Sequence, residues 1–224
     1  MPFERRFTAR LPFGVCVGVA LPDAVPAESD WPALLHPDER DFARGLAEPR
    51  RASWIGGRVA LRAALDAAGL SSREPLLATA RGGPRLPAGA TGSISHKSDL
   101  AVAIAAPVGQ PPATVGIDLE QLRPLRVDVS ARVLTPGERD GLPLPGPQRD
   151  AHILRLFCAK EAVYKALDPW LGRYVAFQEV EIHDGLAVRL TLSDGAGPFA
   201  VALAEPVDLA PGGYVLMTAV ARLG

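Results

Sequence analysis

Val115-Gly116-Ile117-Asp118-Leu119-Glu120 alternates branched apolar residues with small or acidic ones. That period of two is the signature of a strand, and we read Thr114 to Glu120 as one. It turns Asp118 and Glu120 to one face and Leu119 toward the core. Two carboxylates side by side are the hard oxygen donors that magnesium takes together with phosphate and water. An isolated D-x-E is nonetheless better explained as a strand end carrying exposed acids.

The next informative stretch is Phe157-Cys158-Ala159-Lys160-Glu161-Ala162-Val163-Tyr164-Lys165. It lies in a helix expected over Gln148 to Leu167, where Leu154, Phe157, Ala162 and Tyr164 form the apolar pattern. Glu161 and Lys165 are one turn apart, the spacing of a solvated ion pair, and a lone KExxxK is best read that way. Beside an apolar surface a third carboxylate has two further uses. It can complete a metal site, or it can take the proton of an attacking hydroxyl. The neighbouring lysines can neutralise phosphate charge.

Beyond this helix the chain alternates as strands at Val175 to His183, Leu186 to Leu192, Phe199 to Leu203 and Tyr214 to Val220. Ahead of it, Asp128 to Asp140 reads as helix-rich and Gly141 to Pro147 as a break. The first half begins with a buried strand, Phe13 to Leu21, followed by a proline-broken loop from Pro22 to Pro37. His36-Pro37-Asp38-Glu39-Arg40 has the proline and first-turn acids of a helix start. Ser53 to Ala68 is a long helix with Gly69 as its stop, and Gly92 to Ala106 is two strands around a turn at Lys97 to Asp99. The best linker is Pro107 to Pro112. Each half thus runs from a long helix through a Gly/Pro connection to strands.

The first half has its own polar clusters. Ser93-Ile94-Ser95-His96-Lys97 gathers hydroxyls, an imidazole and an ammonium at a strand end, a set suited to phosphate or to a plain polar turn. No G-x-S-x-G elbow accompanies it, which removes support for a serine hydrolase. Arg58 and Arg62 stand one turn apart on the helix, Arg50 and Arg51 lie just upstream, and Arg81 and Arg85 flank Gly82-Gly83-Pro84. Arginine forks suit phosphate, although any one of these is more often a solvated surface group. Gly82-Gly83 is neither a Walker loop nor a dinucleotide fingerprint.

Composition narrows the field. With 48% hydrophobic and 22% charged residues in 224, the chain is an ordinary globular one, and a net charge of -1 argues against bulk capture of nucleic acid. The two cysteines, Cys16 and Cys158, have no metal-site or disulfide-framework spacing, which points to a reducing, cytoplasmic setting. The apolar run Phe13 to Leu21 is too short and glycine-broken for a secretory signal, and no run reaches the length of a membrane span.

Taken together, in order and spacing, Gly57-Arg58 to Leu65, Gly83-Pro84 to Pro87, Ser93 to Lys97, Gly116 to Glu120 and Phe157 to Lys165 resemble the 4'-phosphopantetheinyl transferase superfamily, in particular its larger surfactin-type and enterobactin-synthase-type members. The resemblance implies an α+β, pseudo-two-fold monomer of two similar lobes, each a small, mostly antiparallel sheet on a long helix. An N-terminal lobe would span residues 1–110, and a C-terminal lobe, 111–224, would carry the acids. Coenzyme A is expected in the cleft between the lobes. The implied metal ligands are Asp118, Glu120 and Glu161, holding magnesium, with manganese as an alternative ion. Glu161, Lys165 and Asp118 are the implied catalytic groups, with Glu161 as the base. Arg51, Arg58, Arg62, Arg81, Ser95, His96, Lys160 and Lys165 are the implied coenzyme contacts. The implied partner is an acyl or peptidyl carrier domain of non-ribosomal peptide, polyketide, siderophore or fatty-acid synthesis. Phe157 replaces the tryptophan and Cys158 the serine or threonine of many members. Two rival readings use the same residues: another magnesium-dependent phosphotransferase or nucleotidyltransferase, and a non-catalytic carrier-binding module.

Overall fold

A computed structural model describes residues 3–27, 31–71, 73–209 and 212–224, with Pro32 described by its backbone alone. The chain divides into two compact units, Met1–Val108 and Gly109–Gly224. Both mix helices with small antiparallel sheets.

In the first unit β1 (Arg5–Leu11), β2 (Gly14–Ala20), β3 (Ala90–Lys97) and β4 (Leu100–Pro107) form one antiparallel sheet in the order β1-β2-β4-β3. Two helices follow β2: α1 (Pro37–Arg44), capped by His36 and Glu39, and α2 (Glu48–Ala67). The core lies between α2 and one sheet face, where Ile55, Leu61 and Leu65 of the helix meet Val17, Val19, Ala101 and Ala103 of the strands. The apolar period predicts α2 only from Ser53. Pro49 sits in its first turn, where a missing N–H costs nothing, and this lets the helix begin at Glu48. β1 has no counterpart in the sequence reading. Its residues, Arg5-Arg6-Phe7-Thr8-Ala9-Arg10-Leu11, bury no side chain fully and form an edge strand through backbone pairing with β2. Within the expected loop a short 3-10 turn, Trp31–Leu34, buries Trp31, whose Nε1 donates to Pro26 O at 2.7 Å. Residues 28–30 of that loop lie outside the described residues.

The second unit holds a three-stranded antiparallel sheet, β5 (Thr114–Gln121), β9 (Tyr214–Leu223) and β8 (Phe199–Ala204), in the order β5-β9-β8. A separate hairpin pairs β6 (Val180–His183) with β7 (Ala187–Leu190). The expected strand from Val175 is shorter than its alternation implies, because Phe177–Glu179 is a 3-10 turn. The helix-rich segment resolves into two single turns, α3 (Ser130–Val133) and α4 (Pro136–Asp140). Leu134 is extended between them, and Thr135 starts the second as a capping box with Glu138. The long helix α5 runs from Pro147 to Leu171, beyond its expected end at Leu167, and stops at left-handed Gly172. Its core face carries Cys158, Ala162, Val163 and Ala166 against Val215, Met217 and Ala219 of β9. Among the described residues no helix is long and apolar enough to cross a membrane.

Candidate active site

The site forms where β5 meets α5, and Gly116 sets the contact. A Cβ at Gly116 would fall on the Ala162 carbonyl oxygen and 2.7 Å from the Ala166 nitrogen, so the strand can lie on the helix backbone only without a side chain there. Thr114, two residues earlier on the same face, donates its hydroxyl to Ala166 O at 2.5 Å and accepts Trp170 Nε1 at 2.6 Å. Strand alternation then aims Asp118 and Glu120 at the same helix. Both are buried, with Asp118 4% exposed and Glu120 7%. Val115, Ile117 and Leu119 on the opposite face are buried too. Asp118 and Glu120 are therefore not the exposed strand-end acids that an isolated D-x-E implies.

On α5, spacing at i, i+3, i+4 and i+7 puts Cys158, Glu161, Ala162 and Lys165 on the face turned to β5, and Cys158 and Lys165 of these interact with Asp118. Lys165 Nζ donates to Asp118 Oδ1 at 2.6 Å and to Ile117 O at 3.0 Å. Cys158 Sγ lies 3.7 Å from Val215 O. Burial, and then the negative charge of Asp118, push the Cys158 thiol well above its ordinary pKa, while Lys165 pulls the other way. A neutral thiol is the result, and it acts as a weak donor among acids. Helical spacing puts Glu161 between Cys158 and Lys165 on this face, half-buried.

Among the described residues no three histidine, cysteine, aspartate or glutamate side chains gather as a metal-holding group. The expected convergence of three carboxylates is thus not formed. What forms is a buried acid pair with a lysine on one member. This donor set still suits magnesium, which needs only one or two protein carboxylates when phosphates and water supply the rest. The charge also fits: three carboxylates on the facing surfaces against one lysine leave a deficit of two positive charges.

The two lysines of the helix motif part company. Lys160 and Lys165 are five residues apart, which turns them about 140° from each other around the axis. Lys160 was expected at a coenzyme phosphate, and the structure corrects this. Its side chain is fully buried, with Nζ 2.6 Å from Glu138 Oε2 and donating to Val133 O and Phe177 O at 2.9 Å each. Those three acceptors use all three ammonium hydrogens. Burial lowers the Lys160 pKa, and the hydrogen bond and charge of Glu138 oppose that shift.

The arginines of the first unit are likewise bound into the fold. Arg51 donates to Ala43 O, Val25 O and Leu46 O at 3.2, 2.9 and 2.8 Å, which corrects its expected phosphate role. Arg58 donates to Leu76 O at 3.0 Å and lies over the Trp54 ring at 4.4 Å. Burial brings its pKa down to about 10, against a smaller opposing pull from Glu39. Arg62 pairs with buried Glu39 at 2.7 Å. Arg81 is exposed in the loop before β3. Ser95 and His96 are neighbours on β3, so they lie on opposite faces of the strand: Ser95 buried with Ser93 and Thr91, His96 exposed.

Two site residues escaped the sequence reading. Cys158 reads there only as a departure from a pattern. Glu138 was not singled out, although Thr135-Pro136-Gly137-Glu138 spells a capping box.

Family models match both units: the 4'-phosphopantetheinyl transferase N-terminal domain over residues 38–106, and the 4'-phosphopantetheinyl transferase superfamily over residues 114–218. The second match contains Asp118, Glu120, Glu161 and Lys165. Individual relatives agree. The chain is 35% identical over 191 residues to 4'-phosphopantetheinyl transferase Npt of Nocardia iowensis, covering 82% of this chain and 81% of that one. The chain belongs to the 4'-phosphopantetheinyl transferase superfamily. It is 36% identical over 182 residues to the superfamily member Svp of Streptomyces mobaraensis, covering 80% of this chain and 70% of Svp. Against PptT of Mycobacterium tuberculosis the identity is 34% over 157 residues, covering 69% and 67%. As a superfamily member, the protein is a transferase.

Proposed function

We propose that the protein moves the 4'-phosphopantetheine arm of coenzyme A onto a serine of an acyl or peptidyl carrier protein, releasing 3',5'-ADP, with magnesium as the metal. The observation that carries this reading is the buried Asp118 bound to Lys165 at 2.6 Å, on a strand and a helix that both lie within the superfamily match over residues 114–218. Asp118 and Glu120, with Glu161 on the facing helix, would hold the metal. When bound, magnesium would neutralise the pyrophosphate and stabilise the charge that builds on the leaving group.

The chain's own residues do the rest. Glu161 removes the proton from the carrier serine hydroxyl, the serine oxygen forms a bond to the β-phosphorus, and the bond from that phosphorus to the 3',5'-ADP oxygen breaks. Lys165 offsets negative charge at the phosphates. Little covalent chemistry falls to the protein, so positioning and charge account for most of the rate. The reading also takes the protein to be a cytoplasmic monomer that serves non-ribosomal peptide, polyketide, siderophore or fatty-acid synthesis. It further takes the two units as a pseudo-two-fold repeat. Their shared plan of a long helix on an antiparallel sheet supports that, and their unequal sheets bear against it.

Mass spectrometry of several apo carrier proteins incubated with coenzyme A and magnesium tests the proposal. A phosphopantetheine mass gain is expected, lost on chelation and absent with Asp118→Ala. No gain on any carrier type overturns it.

A further inference from the structure

Lys160 is the one ammonium in the helix motif whose position rules out ligand contact, and its surroundings show another use. Its partner Glu138 is itself 8% exposed, and besides the ammonium it accepts Thr135 N at 2.7 Å and Ile182 N at 2.8 Å. Through this pair α5 is fastened to the α3–α4 connection, to the 3-10 turn before β6 by way of Phe177 O, and to β6 itself. Five residues along, Lys165 fastens the same helix to β5. The two anchors lie about 140° apart around the axis. Together they fix both the rotation of α5 and its slide along β5. Glu161 lies between them.

A buried ion pair is an expensive way to gain stability, because well-packed apolar side chains of similar volume do as well or better. The use left to such a pair is to hold one arrangement against near alternatives. A rotation of α5 would turn Glu161, which helical spacing places on the face toward β5, away from the strand that carries Asp118 and Glu120.

We propose that Lys160 and Glu138 are positioning residues: they set the rotation of α5 so that Glu161 faces the acids of β5, and they touch neither coenzyme nor carrier. This inference rests on the transfer activity proposed above.

The test is the double variant Lys160→Met/Glu138→Gln, which removes both charges together and avoids leaving one buried alone. Three quantities are measured: melting temperature, coenzyme A affinity by calorimetry, and kcat for carrier modification. The expected result is near-wild-type melting, coenzyme affinity within about threefold, and kcat lower by about tenfold or more. A kcat within about twofold of wild type means that the pair only stabilises, and overturns the proposal. Coenzyme affinity weakened by about tenfold makes Lys160 a phosphate ligand after all, and overturns it too. If the double variant does not fold, Glu138→Asp, which keeps both charges and shortens the anchor by one methylene, decides by the same readouts, with a smaller fall in kcat expected and an unchanged kcat overturning the proposal. A wild-type protein that adds no mass to any carrier overturns the activity and this inference with it. An active wild type with either adverse variant result overturns the inference alone.

Discussion

Both units press one long helix onto an antiparallel sheet, and both use glycine to do it, but the side chain is removed from opposite partners. In the first unit the glycines are on the helix. A Cβ at Gly57 of α2 would meet the branch methyl Cγ2 of Ile94 at 2.9 Å, and one at Gly56 would meet a Leu21 methyl. In the second unit the glycine is on the strand, and a Cβ at Gly116 would strike the backbone of α5. The polar groups divide in the same way. Arg51, Arg58 and Arg62 of α2 bond to carbonyls and a carboxylate of their own unit. On α5, Lys165 meets the acid-bearing strand. The same plan thus carries arginines bound within their own unit in one case and an acid-lined seam in the other. Close approach to a strand that carries acids makes the difference.

Substitution of charges is the strongest way to break this comparison. Asp118→Ala should lower carrier modification by at least about 10²-fold while the protein still folds, as read by mass-gain kinetics beside circular dichroism. If transfer survives at near-wild-type rate, β5 is not the reactive strand. Arg51→Ala should do the reverse. Three carbonyls lose their donor, so stability should fall by about 2–3 kcal/mol in denaturant unfolding. The folded fraction should keep its KM for coenzyme A, and a large rise in that KM would return Arg51 to the phosphates.

The glycines sharpen the same contrast. At Gly116 the obstacle is main chain, which cannot turn aside, so Gly116→Ala should cost about 3 kcal/mol or more. At Gly57 the obstacle is the Ile94 Cγ2 methyl at 2.9 Å, a side-chain atom that can yield where main chain cannot, though it is held close to its own backbone. There an alanine also gains helix propensity, and the net change should be within about 1 kcal/mol. Equal losses at the two positions would remove the distinction between a helix resting on side chains and a helix resting on backbone.

The parts of this arrangement that were legible in sequence are those with a strong period. Asp118 and Glu120 share a face because strands alternate, and Glu161 and Lys165 share one because helices repeat near four. The reading failed where a partner far along the chain decides the outcome. Closeness in sequence groups Lys160 and Lys165 as one cluster. Their angular separation could be read from spacing, but not the fact that Glu138, Val133 and Phe177 would enclose one of them. Nor does spacing show that Val25 and Leu76, both remote in sequence, accept from Arg51 and Arg58 through their carbonyls. β1 alternates only over Phe7-Thr8-Ala9-Arg10-Leu11, a run too short and too rich in arginine to read as a strand, none of its side chains is fully buried, and its pairing with β2 is made by backbone. The 3-10 turn at Phe177–Glu179 hides in a sequence that alternates like a strand. It exists because Glu179 folds back to accept Ala176 N at 2.8 Å.

Glu179 supplies the smallest test, one of pH. Its counterpart in the first unit is Glu39, which is also buried and also accepts both backbone N–H groups and an arginine. Burial alone would push Glu179 up. The two-pronged Arg173 pair, with Ser193 N at 2.6 Å and Ala176 N, overcomes it and holds the carboxyl at about 2, below its ordinary 4.5. A carboxyl depressed in the folded state stabilises the protein above its unfolded pKa and loses that contribution as pH falls through the folded value. The contribution should therefore be nearly complete above about pH 4.5 and nearly gone at pH 2, and amount to about 3 kcal/mol. Glu179→Gln keeps the shape and removes the charge. Its melting temperature should fall below that of the wild type by several degrees at pH 7, and the two curves should draw together between pH 4 and pH 2. A gap that stays constant across this range would mean that the turn is held by hydrogen-bond geometry alone and that the Arg173 pair adds no charge-dependent stability.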